Sequence, residues 1–287
     1  MKYLDTHAHL NLPAFAADSE VVALRCLKEE VSVINVGTQE ETSARAVELA
    51  LTHEHLYAIM GLHPIQIAPR SEANTDAEKG GITRVPEAEV FNPDFYRQLY
   101  KSSNGKVVGI GECGFDYFHT TPGSYGVQEE AFIAQIELAN ELKLPIMIHT
   151  RGPKPGEVSP TGRSVYADVY AVLKQYARAP FNVHFYAGTY EEAKRFFELG
   201  GTISFTGVIT FAPVYEDIIK AVPLELLHGE TDCPYVAPVP YRGKRCEPWM
   251  VQEVYKKIAS IRGEDEETVR LVLLENAKRL YGIWFLN

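Results

Sequence analysis

Tyr3-Leu4-Asp5-Thr6-His7-Ala8-His9-Leu10 carries an ionisable side chain at every second position from Asp5 onward. Residues two apart on a β-strand share one face, so Asp5, His7 and His9 are expected to project together from a strand end. Ordinary core cannot accept such a face without partners. A pair of hydrogen-bonded core histidines would also account for it. The meaning of the stretch therefore depends on whether the chain supplies further ligands at equivalent places.

Reading outward, strand-like and helix-like segments alternate. Strands are expected at Tyr3–Leu10, Val31–Val36, Leu56–Leu62, Val107–Glu112, Leu144–His149, Phe181–Phe185, Thr202–Phe205 and Leu226–Asp232. Helical patterns lie between and after them: 19–30, 40–53, 93–102, 128–143, 164–176, 190–199, 215–221, 247–262 and 265–281. Eight such alternations imply parallel strands joined by right-handed crossovers. At 287 residues they predict a single-domain α/β fold over 1–287, a (β/α)₈ barrel with its site at the C-terminal strand ends. Two stretches break the rhythm, Ala68–Asn92 and Gly152–Arg163, and both read as long loops on β→α connections.

The costly polar residues fall where the strands end. His7 and His9 end the first, His63 the third, Glu112 the fourth, His149 the fifth, His184 the sixth and Asp232 the eighth. In a barrel these ends form one rim, and a shared metal site explains them together more simply than separate structural roles. Four imidazoles and two carboxylates exceed what one tetrahedral ion with an open position needs; they suit two divalent ions with a shared carboxylate. Mixed nitrogen and oxygen donors favour zinc, manganese, nickel or iron over calcium, with magnesium less natural.

Composition narrows the class. A hydrophobic fraction of 46% supplies a sizeable core, and no apolar run is long enough to span a membrane. No targeting segment is expected ahead of Tyr3. Cys26, Cys113, Cys233 and Cys246 are widely spaced without a C-x-x-C pair, which points to a reducing cytoplasm. Cys113 and Cys233 adjoin Glu112 and Asp232, and because neighbouring strand residues face opposite ways they are expected to be buried structural thiols. A formal net charge of -10 argues against broad coating of nucleic acid. It leaves room for an enzyme that handles one phosphodiester in a pocket where metal ions supply the positive charge.

Taken as ordered motifs, the sequence resembles the TatD family of metal-dependent hydrolases. The resemblance rests on Asp5-Thr6-His7-Ala8-His9-Leu10, Gly61-Leu62-His63-Pro64, Gly109–Tyr117, Ile148-His149-Thr150-Arg151, His184–Gly188, Glu230–Tyr235, Pro238–Pro248 and Asn276. It implies an amidohydrolase-type barrel and metal-dependent phosphodiester hydrolysis, often of DNA. By motif position, His7, His9 and Asp232 would hold one ion, His149 and His184 the other, and Glu112 would bridge them. The sequence departs from the family pattern at Phe185-Tyr186, Cys233 and Cys246, and in its two longer loops.

Asp232 is the expected proton acceptor for the attacking water, and Asp5 a supporting residue. His63, Arg151, Arg242, Lys244 and Arg245 are the expected substrate contacts, with a rim salt bridge from Arg151 to Asp116 as its bland alternative. The expected partner is DNA or another phosphodiester, with no obligate protein partner. Two other functions fit the same ligands: an amidohydrolase-type esterase or amidase, and a metal-bound binding protein without turnover.

Overall fold

Eight parallel strands pair in sequence order, each with the next, in a computed structural model that describes residues 1–67 and 88–283. The strands are β1 (Tyr3–Ala8), β2 (Val31–Val36), β3 (Leu56–Met60), β4 (Val107–Asp116), β5 (Ile146–Arg151), β6 (Phe181–Val183), β7 (Gly201–Phe205) and β8 (Leu227–Gly229). The helices are α1 (Ser19–Lys28), α2 (Glu40–Thr52), α3 (Pro64–Ile67), α4 (Pro93–Ser102), α5 (Tyr125–Leu142), α6 (Val165–Tyr176), α7 (Tyr190–Glu198), α8 (Glu216–Ala221), α9 (Val251–Arg262) and α10 (Glu266–Tyr281). The predicted (β/α)₈ barrel is therefore the fold. Most of the expected first loop, residues 68–87, lies outside the described residues.

Local chemistry sets the helix ends. Thr189 and Glu192 form a reciprocal capping box at the start of α7. Asp265 accepts the Thr268 N–H at the start of α10, and Gly263 ends α9 in the left-handed region. Most of the apolar core lies between strands and helices. A smaller cluster of Leu4, Ile34, Val36, Ile59, Val108 and Met147 fills the barrel interior, joined by Leu274, Ala277 and Tyr281 of α10. Among the described residues, no helix is long and apolar enough to cross a membrane.

The barrel closes through the segment after β8. Asp232 N–H donates to the His7 carbonyl (2.9 Å), and His9 N–H to the Cys233 carbonyl (3.1 Å). The eighth strand is thus shorter than predicted: it stops at Gly229, and Asp232 sits beyond it with φ +56°. Asp tolerates that left-handed conformation better than most residues.

Irregular register in two strands aims the site residues. On β1, Asp5 pairs with Val33 but Ala8 pairs with Asn35, so three residues on one strand span two on the next. This bulge overturns the expectation that Asp5 and His7 share a face. Leu4 lies inside the barrel, so Asp5 faces outward beside Val33, and the extra residue returns His7 to the interior. A second bulge lies between Ile110 and Cys113 of β4, around Glu112. A Cβ at nearby Gly114 (φ +144°) would lie 2.2 Å from the His149 carbonyl oxygen, so only glycine lets β4 approach β5 there.

Candidate metal centre

The carboxylate of Glu112, only 3% exposed, divides its two oxygens between two groups of imidazoles. Oε1 lies 3.6 Å from His7 Nε2 and 3.5 Å from His9 Nε2. Asp232 Oδ1 faces the same two nitrogens at 3.6 and 3.4 Å. Oε2 lies 2.8 Å from His184 Nε2, 3.4 Å from His149 Nδ1 and 3.8 Å from His63 Nε2. The six residues expected to ligate metal are brought together, and His63 is packed against them.

Hydrogen bonds on the far side of the His9 and His149 rings fix which nitrogen faces the centre with a lone pair. His9 Nδ1 lies 2.8 Å from the Val36 carbonyl, which can only accept; the ring proton is therefore on Nδ1 and Nε2 is free to ligate. His149 presents its other edge. Its Nε2 donates to Asp116 Oδ2 (3.1 Å), leaving the Nδ1 lone pair toward Glu112. His63 is wired the opposite way. Its Nδ1 accepts the Ile65 N–H (3.0 Å), so a neutral ring carries its proton on Nε2 and points a donor into the site.

Electrostatics keep the central acid ionised. Burial alone would raise the Glu112 carboxyl, but the His63, His7 and His184 rings outweigh it and hold it well below the usual range. His184 moves the other way: burial lowers it, while Glu112 and Glu230 together push it well above an ordinary histidine. These nitrogens and oxygens suit divalent first-row metals. His7 and His9 turn their Nε2 atoms to within 3.0 Å of each other and toward oxygens of Glu112 and Asp232, a cluster of lone pairs that a cation would satisfy. The residues therefore fit bound metal.

The family described as TatD related DNase matches residues 4–282. The chain belongs to the TatD family. It is a metal-dependent hydrolase of that family, 33% identical over 284 residues to the uncharacterized metal-dependent hydrolase YabD of Bacillus subtilis, a match covering 97% of this chain and 98% of the relative. The crystal structure of YjjV, a TatD homologue from Escherichia coli, superposes with a TM-score of 0.78 at 26% identity and covers 98% of both chains. A dihydroorotase from Campylobacter jejuni shares the barrel fold (TM-score 0.57, 12% identity, 99% of this chain and 84% of that one).

In this TatD-family hydrolase the other expected residues divide. Asp5 supports the site without joining it: its carboxylate accepts the Thr231 N–H (2.9 Å), the Thr231 hydroxyl (2.6 Å) and the His7 N–H (3.3 Å). Arg151 does not pair with Asp116, whose oxygens serve His149 and His119; its guanidinium lies 4.8 Å from the centre of the Phe118 ring, with Lys154 5.6 Å from the same ring. Arg242 stacks on Phe211 at 3.7 Å, and Lys244 lies 5.9 Å from the Tyr241 ring.

Arg245 corrects the expected basic loop. It binds both oxygens of Asp18 (2.9 and 2.6 Å) and the Ala14 carbonyl, and lies over Phe15. Its donors are committed to holding the loop after β8 against the start of α1. Cys113 and Cys233 are buried free thiols, as expected. Asp116 and Glu230 were given no role toward the metals from sequence. Both lie in the TatD-like motifs, and Glu230 stands two residues before Asp232, although the strand ends at Gly229 before either.

Proposed function

We propose that this hydrolase cleaves phosphodiester bonds, with DNA as its substrate, at a centre of two divalent ions. The observation that carries the reading is the split Glu112 carboxylate, with His7 and His9 on one oxygen and His149 and His184 on the other. His7, His9 and Asp232 would hold one ion, His149 and His184 the second, and Glu112 would serve both. Bound ions lower the pKa of water and offset negative charge that develops on the phosphoryl oxygens.

The chain's own residues supply the rest. Asp232 is the most solvent-open carboxylate of the centre, with its side chain 15% exposed against 4% for Glu112. It is placed to orient a water and take its proton. His63 Nε2–H donates to His149 Nδ1 (3.2 Å), and it would be released to a phosphoryl oxygen where that lone pair is given to a metal. Arg151 on Phe118 ends β5 and Arg242 on Phe211 follows β8, both on the C-terminal rim, and stacking leaves their N–H edges available for phosphates. Exposed cations at this rim, in a chain of net charge -10, favour an anionic substrate over a neutral ester or amide.

Turnover of metal-reconstituted protein on single-stranded DNA, duplex DNA, RNA, small phosphodiesters and carboxyl esters tests the proposal. Cleavage of DNA with weak or absent ester hydrolysis is expected. Hydrolysis confined to carboxyl esters would replace this reading with the esterase one.

A further inference from the structure

Glu230 is fully buried in the barrel and plays no part in the proposed chemistry, yet five donors from three strands or their ends converge on it directly or in sequence. Its Oε1 accepts the Phe185 N–H (2.6 Å) and its Oε2 the Ser204 hydroxyl (2.6 Å). Ser204 Oγ in turn accepts from Asn182 Nδ2 (2.8 Å). Asn182 Oδ1 accepts from Thr202 Oγ1 (3.1 Å), and Thr202 Oγ1 lies 3.0 Å from His228 Nε2. A consistent assignment runs one way: His228 donates to Thr202, Thr202 to Asn182, Asn182 to Ser204 and Ser204 to Glu230. Every link in this column is buried. Donors aligned toward one carboxylate polarise one another and fix that carboxylate in place.

At its upper end the column meets the metal centre. Glu230 Oε1 is 3.7 Å from His184 Nδ1, an ion-pair contact just beyond hydrogen-bond length, and that nitrogen is buried with no hydrogen-bond partner. A ring nitrogen of His7, one of His184 and an oxygen of Glu230 all lie within 4.8 Å of one another, and the two rings stack at 4.0 Å. For His184 to give its Nε2 lone pair to a metal, its proton must sit on Nδ1, where Glu230 is the acceptor at hand.

We infer that Glu230 is a positioning residue of the metal centre, fixing the ring orientation and tautomer in which His184 ligates, and that the column from His228 to Ser204 holds it there. The inference rests on the two-ion reading above.

The test is zinc binding by the full-length protein in graded zinc buffers, with bound metal counted per chain. Glu230→Leu is expected to raise the free zinc needed to fill the second ion about 10–100-fold, in the range seen for lost outer partners of metal-bound histidines. Glu230→Gln keeps an oxygen toward His184 and should recover most of that loss. Ser204→Ala should give an intermediate loss, and Thr202→Val a smaller one. With Co²⁺ as the probe, the absorption bands of the second ion should shift in Glu230→Leu and return in Glu230→Gln.

Wild-type filling curves and Co²⁺ spectra retained in Glu230→Leu would overturn the inference. So would equal losses in the Leu and Gln variants. If the Leu variant fails to fold, Ser204→Ala decides alone: an unchanged filling curve overturns the inference. Fewer than two ions in the wild-type protein at saturating zinc would instead overturn the two-ion reading itself.

Discussion

Replacing Asp5 with alanine tests how the barrel seam places Asp232. The substitution leaves the Thr231 N–H, the Thr231 hydroxyl and the His7 N–H without their acceptor, all in a fully buried setting. A buried donor stripped of its acceptor costs roughly 1–3 kcal/mol. The hydroxyl can turn to another acceptor, so the two amides set the scale, at about 2–6 kcal/mol gross. Burial also drives the Asp5 carboxyl well above its ordinary range, and relief of that cost offsets part of the loss. A net destabilisation of about 3 kcal/mol corresponds to a fall of roughly 5 °C in Tm for a chain of this size.

The same change frees the segment that carries Asp232 in its left-handed conformation, so metal should suffer as well. Occupancy of the ion assigned to His7, His9 and Asp232 should require about 10–100-fold more free metal. Urea unfolding of the metal-free protein and metal counting by mass spectrometry read the two effects separately. Asp5→Asn, which retains one oxygen for the amides, should lose markedly less on both. A stability loss under about 1 kcal/mol, or a normal loss with unchanged metal filling, would refute the claim that Asp5 acts by pinning the strand-eight segment.

Glu112→Gln should drop the bound metal from two ions per chain to one or none, with turnover lost in parallel; two retained ions would contradict the shared-carboxylate assignment. Asp232→Asn should abolish turnover while partial metal occupancy survives, and unchanged turnover would remove its proton role. Arg151→Ala and Arg242→Ala should each raise KM for oligonucleotides about 10-fold, the scale of one charge-assisted contact of roughly 1.5 kcal/mol, with little change on a small phosphodiester. Burial, with Arg279 adding to it, lowers the folded-state pKa of His228 to about 3. Its contribution to stability is therefore fully present above pH 6.5 and is lost as pH falls toward 3. Between pH 7 and 5 that is about 2 kcal/mol, and His228→Gln should flatten that part of the urea-midpoint profile.

The barrel and the cluster of polar residues at its rim were legible in the sequence because both rest on short-range signals. Period-two and helical patterns marked the strands and helices, and a costly side chain at successive strand ends marked the rim. What the sequence concealed depends on register and long-range pairing. The bulge between Asp5 and Ala8 reverses the face of the first strand, and nothing in Asp5-Thr6-His7 announces it. Arg245 reads like its neighbours Arg242 and Lys244 until the fold brings Asp18 to meet it. Glu230 and Asp116 were visible as acids near ligands, but their roles come from rings contributed by other strands. His63 looked equally suited to touching substrate or supporting a ligand, and the Ile65 N–H settles which edge of its ring is the donor.

The seam between β1 and the segment after β8 has a consequence for synthesis of the chain. His7 and His9 emerge from the ribosome almost at once, whereas Thr231, the residue Asp5 holds, is 226 positions later. Contacts of such separation form late and slowly. The nascent chain thus carries the rim histidines and Glu112 well before Asp232, which joins them only when the ring of strands shuts. Competence for hydrolysis and completion of the fold become a single event, so a truncated or stalled chain would lack the hydrolytic centre.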